Sequence, residues 1–181
     1  MSILKKITRQ SFVTALLACS TFFGSAQRPA TPEYQVKAAF LFNFTQFVEW
    51  PPSSFTSAQA PFVIGILGKD PFGTYLEEII SGERINGHPL VIEHYKDTGE
   101  VKTCHILFIN LAETKMEQAV TSLKGRKILM VSDASSFLKQ GGMIAFVTKD
   151  NKINIQINPD SAKEADLIIS SKLLRVAEII N

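Results

Sequence analysis

The sequence predicts an α/β fold, a single-domain layered sandwich with a mixed, mostly parallel sheet flanked by helices. Three observations predict it. PFVIGILG (61–68), TCHILFIN (103–110) and RKILMVSD (126–133) are continuous apolar runs of strand length, as expected of strands covered on both faces. Helical patterns closed by glycine, at Gly82 and Gly125, stand between them. The chain has 181 residues and carries no internal repeat, low-complexity tract or dividing linker, so one domain is expected.

The first residues read as an address. Lys5, Lys6 and Arg9 are followed by an apolar run from Phe12 to Phe23 and by the small residues Gly24-Ser25-Ala26. This is the pattern of a Sec signal peptide over 1–26, too short to span a membrane, with the folded domain over 27–181. Leu16-Leu17-Ala18-Cys19 offers a second reading, a lipobox with Cys19 as the acceptor of a lipid anchor, although Leu17 is not the favoured small residue. Both readings export the protein. Cleavage after Ala26 removes three of 19 basic residues and none of the 17 acidic ones, so the net charge moves from +2 to −1. The basic excess therefore belongs to the leader and gives no footprint for nucleic acid. Cys104 would be the one thiol left, in a buried strand and without an internal partner.

The elements follow in order. Thr31 is placed to cap a first helix with Pro32 at its first position, and that helix runs to about Glu49, before Pro51-Pro52. Residues 53–60 form a loop and 61–68 the first long strand. DPFGTYLEEIISG is a turn and helix, HPLVIEHY (88–95) a strand, TCHILFIN a strand and LAETKMEQAVTSLKG a helix. RKILMVSD is a strand, DASSFLKQGG a short helix, and 143–158 a hairpin turning at Asp150-Asn151. Residues 160–181 are a helix, whole or broken.

The first helix is crowded with aromatics. Set at about 100° per residue, Tyr34, Val36, Phe40, Leu41, Phe44, Phe47 and Val48 gather on a broad core arc. Gln35, Asn43, Thr45, Gln46 and Glu49 lie opposite, with Phe42 among them and Trp50 at the helix exit. Phe42 and Trp50 are thus either a contact surface for a partner or covered by another element of the domain.

Chemistry finds little support. GILGKDPFG (65–73) follows a strand and opens a helix, but matches neither the dinucleotide fingerprint nor the P-loop, and reads as a tight turn. His88, His94 and His105 lack metal-ligand spacing and read as surface or half-buried residues. Ser170-Ser171-Lys172 has the wrong spacing for a serine–lysine pair. Asp133 and Asp150 end strands, where acids are also ordinary caps. No catalytic group, cofactor or metal is expected.

The blocks YQVKAAFLFNFTQFVEWP (34–51), VIGILGKDPFG (63–73), CHILFI (104–109), KILMVSD (127–133), GGMIAFVTKDNKINIQIN (141–158) and ISSKLLRVA (169–177), in this order and spacing, resemble the YfiR-like family of bacterial periplasmic proteins. The resemblance implies a non-enzymatic, periplasmic α/β sandwich. Its best-known member restrains an inner-membrane diguanylate cyclase by binding the periplasmic sensor domain, lowering cyclic di-GMP signalling and biofilm formation. Relatives serve other receptors, histidine kinases among them, and members can form homodimers. The family's receptor patch carries over onto Leu41, Phe42, Phe47 and Trp50. Docking would use Phe42 and Trp50 as apolar anchors, rimmed by Glu49, Gln46 and Lys37. Some members pair the cysteine of the C-H-I block with one in the first strand. FVIGILG has none, so that redox link is absent from this chain. Two rival readings stand beside it: a periplasmic small-ligand sensor with a pocket near GKDPFG, and an enzyme using Asp133 or Asp150.

Overall fold

A computed structural model describes residues 30–180. The predicted signal peptide and Cys19 lie outside the described residues.

The elements, in chain order, are α1 (Pro32–Phe47), β1 (Val48–Glu49), β2 (Phe62–Gly68), α2 (Tyr75–Ile80), β3 (Arg84–Ile85), β4 (His88–Tyr95), β5 (Ile106–Asn110), α3 (Glu113–Leu123), β6 (Leu129–Ser132), β7 (Ile144–Lys149), β8 (Lys152–Ile157), α4 (Pro159–Glu164), β9 (Ile168–Ile169), α5 (Ser171–Leu174) and β10 (Glu178–Ile179). Short 3-10 turns occupy Pro52–Ser54 and Leu138–Gln140.

The main sheet has eight strands in the order β10-β8-β7-β6-β5-β2-β4-β3. The pairs β2–β4, β2–β5, β5–β6, β6–β7 and β8–β10 are parallel, while β7–β8 and β3–β4 are antiparallel. The predicted mixed, mostly parallel sheet is therefore present. β2 is buried without alternation from Phe62 to Leu67, as is β5 from Ile106 to Ile109, so both faces of the sheet centre are covered. α1 packs against α2, and Phe40 and Phe44 lie against Phe146 of β7. α3 buries Met116, Ala119, Val120 and Leu123.

The ends of the chain differ from the sequence reading. α1 stops at Phe47, and Val48 turns extended to pair, with Glu49, antiparallel to Ile169 and Ile168. The C-terminal helix is broken twice. Asp166 takes a left-handed backbone (φ 57°) just after α4, and the β-branched pair Ile168-Ile169 then finds β1 as its partner. Asn158 Oδ1 caps α4 by accepting from Ser161 N–H at 3.0 Å, and Ser170 Oγ caps α5 from Leu173 N–H at 3.3 Å. Thr31 occupies the cap position of α1 but makes no side-chain cap bond. The hairpin at Asp150-Asn151 forms as read. A second hairpin, β3–β4 turning at Asn86-Gly87 with both residues at positive φ, was not foreseen.

Candidate functional site

The buried residues of α1 are Lys37, Ala38, Leu41, Phe44 and Thr45, followed by Val48 in β1. They recur at the spacing of one helix face. That face is rotated from the expected arc, which changes the meaning of the aromatics. Val36, expected inside, is 46% exposed. Thr45, expected outside, is buried because its hydroxyl donates back to the Phe42 carbonyl at 2.6 Å and needs no water.

The four candidate contact residues do not share one surface. Leu41 is wholly buried in the core. Phe42 and Phe47 are both half-buried, but they lie on opposite flanks of the buried stripe. Phe47 sits on the β9 side, where its carbonyl accepts from Ser170 N–H at 2.8 Å. Phe42 and Trp50 do come together. They line an open groove of about 910 Å³ at the exit of α1, whose other wall is the β3–β4 hairpin with Glu83, Arg84, Ile85 and His88.

The groove is held by an aromatic ladder. His88 stacks on Phe55 at 3.9 Å, Phe55 on His105 at 4.5 Å, and His105 on Phe62 at 4.6 Å. The half-buried Trp50 meets Phe62 edge-on at 4.9 Å, and its indole N–H donates to the His105 carbonyl at 3.1 Å. His105, expected at the surface or half-buried, is fully buried. Its Nδ1 accepts from Val63 N–H at 3.0 Å, which places the ring proton on Nε2, and that nitrogen has no hydrogen-bond partner among the described residues. Burial pushes the imidazole down to about 4, with the nearby backbone of Ser54 opposing the shift, so the ring stays neutral near pH 7.

Lys37 was expected on the rim of the contact surface. It is instead buried, with Nζ 2.6 Å from both Glu33 and Asp133 and 4.3 Å from the centre of the Tyr34 ring. Tyr34 donates its hydroxyl to the same Asp133 oxygen at 2.9 Å. Burial, then the Asp133 carboxylate, hold that phenol well above its usual range. Asp133 thus ties the end of β6 to the start of α1.

The other candidates are accounted for locally. Asp70 accepts from Phe72 N–H at 2.7 Å, and Asn110 donates to the Lys69 carbonyl at 2.7 Å, so GKDPFG is a closed turn. Asp150 lies exposed in its hairpin. Cys104 is buried, and desolvation pushes its thiol up to about 12. Among the described residues, no three His, Cys, Asp or Glu side chains gather as a metal site would require. What the sequence reading missed was the second wall of the groove, which Asn86-Gly87 could have signalled.

No curated protein matches the chain. A solved structure described as the ABC domain in complex with L-Trp from Streptococcus pneumonia is similar at 15% identity and a TM-score of 0.47. The match covers 66% of this chain and 55% of that one, and no functional argument follows from a likeness of that size. The YfiR/HmsC-like family model matches residues 34–178, nearly every described residue. The chain belongs to the YfiR/HmsC-like family.

Proposed function

We propose that the protein is a periplasmic, non-enzymatic regulator that docks on the extracytoplasmic domain of an inner-membrane signalling protein, a diguanylate cyclase or a histidine kinase. Docking lowers the receptor's output, and with a cyclase receptor it lowers cyclic di-GMP and biofilm formation. Family membership supports the class of function. The observation that carries the reading is the meeting of Phe42 and Trp50 at one open groove, rimmed by the exposed Gln46, Glu49, Glu83 and Arg84.

An apolar floor with a polar rim is the ordinary anatomy of a protein contact. An aromatic held by a hydrogen bond, as Trp50 is, loses little freedom on binding and makes a good anchor. Regulation then requires a difference in affinity between two receptor states. A preference of about 100-fold for the inactive state shifts the receptor by about 2.7 kcal/mol.

The test is a photo-crosslinker at position 42 in cells of the source organism, with cyclic di-GMP measured in parallel. The expected result is a single adduct with a membrane receptor that carries a periplasmic domain, together with higher receptor output when the gene is deleted. A folded, exported protein that gives no adduct and whose deletion changes no receptor output would sink the proposal.

A further inference from the structure

A second concavity lies at the opposite end of α1 from the groove. It encloses about 610 Å³ at the end of β6 and along β7, within the usual range of small-molecule sites. Its apolar wall includes Leu138, Phe146 and Val147. Its charged wall is Glu33, Lys37 and Asp133.

We propose that this pocket binds a small primary amine with an apolar body. Charge and a vacant carboxylate oxygen favour such a ligand. Lys37 is 2% exposed and its ammonium is already shared between two carboxylates at 2.6 Å, so it is not free to take an anion. Two carboxylates against one ammonium leave this wall with a net negative charge. The bonds from Lys37 and Tyr34 both fall on Oδ2 of Asp133, and Oδ1 takes none among the described residues. The side chains of Asp133 and Glu33 are 21% and 45% exposed, which makes both reachable from the pocket. An alkylammonium group brings three donors and a positive charge to this wall, and its apolar body lies along Leu138, Phe146 and Val147. Lys139, the other cation of the lining, is exposed to water and makes no ion pair with Glu33 or Asp133 among the described residues. A carboxylate ligand would meet like charge, and an alcohol would lack the charge complement.

The experiment uses phenethylamine as the probe, with 3-phenylpropionate and 2-phenylethanol at matched concentration. Thermal unfolding and amide NMR shifts of the exported domain are followed. Phenethylamine should raise Tm in a saturable way and shift the amides of Ala134, Phe146 and Val147, leaving those of Trp50 and Ile85 in place. The acid and the alcohol should do neither. Glu33→Gln, at a half-exposed position, should weaken the amine about tenfold, the loss of a charge-assisted contact of about 1.4 kcal/mol. Ala134→Leu, which fills the pocket, should abolish binding. Equal effects of all three probes, shifts centred on the groove, or unchanged affinity in Glu33→Gln would each overturn the proposal.

Discussion

The indole N–H of Trp50 donates to the carbonyl of His105, which also accepts the sheet bond from Leu129 N–H at 2.8 Å. One backbone oxygen thus joins the exit of α1 to β5 and β6. Trp50 is therefore part of the frame as well as part of the groove. The sequence marks Trp50 as a candidate contact residue, and the geometry gives it a structural role as well. Trp50→Ala should cost about 2–4 kcal/mol, from lost contact with Phe62 and a carbonyl left with one donor fewer. Trp50→Phe should cost less. Urea unfolding of the two variants separates them, and equal midpoints for Trp50→Ala and wild type would show the indole to be free of the frame. Phe42, which makes no such bond, is the cleaner probe of docking.

His105 gives the domain an acid limit. Its folded-state value of about 4 lies below the ordinary histidine value of 6.5, so the unfolded chain binds a proton more readily than the folded one. The contribution is whole above pH 6.5, declines as the pH falls, and is exhausted near pH 4. The loss over that window is about 3 kcal/mol at most. Unfolding free energies measured at pH 7.5, 5.5 and 4.5 should decline accordingly, and His105→Gln should flatten the decline. A His105→Gln profile parallel to wild type would assign the acid limit to other groups.

Gly65 stands in the middle of β2 beside Cys104. A Cβ built there comes within 2.6 Å of the Tyr95 ring, 2.7 Å of the Cys104 sulfur and 2.8 Å of a Leu107 methyl. Nothing larger than glycine fits without movement, so Gly65→Ala should cost about 1–3 kcal/mol of overpacking. Adding Cys104→Ala removes the sulfur and should recover part of that loss. The native thiol, buried and pushed up to about 12, should resist a thiol-reactive dye until the chain unfolds. Rapid labelling of the folded protein would contradict the packing of this strand pair.

The long strands were legible because a strand covered on both faces must be apolar throughout, and PFVIGILG and CHILFI are. The two-residue strands were not, since β1 and β9 exist only by pairing with each other and carry no periodic signal of their own. The contact face of α1 was half legible. Lys37 and Thr45 are polar residues on the buried stripe, satisfied by Asp133 and by a backbone carbonyl, so ranking residues by hydrophobicity rotates the wheel. The wheel still set Phe42 and Trp50 apart from the core arc and kept Leu41 and Phe47 on it; the family resemblance alone drew those two into one patch, and Leu41 is buried.

The buried pair of Lys37 and Asp133 makes the last prediction. The ammonium is almost sealed from water, while the carboxylate is one-fifth exposed, 3% against 21% for the two side chains. Removing the charge of Lys37 as Lys37→Met leaves Asp133 with Tyr34 and its partial exposure to water, and should cost about 2–3 kcal/mol, below the usual toll for a fully buried pair. Asp133→Asn should cost less, because Glu33 still holds the ammonium at 2.6 Å and the amide oxygen can still accept from Tyr34. If the two groups act on each other, the double variant loses less than the two single losses added, by about 1 kcal/mol or more. The cycle is read from urea midpoints with a shared slope. Simple additivity would mean that Lys37 acts through Glu33 and its own packing rather than through Asp133, and that the pair does not hold the start of α1 to the end of β6.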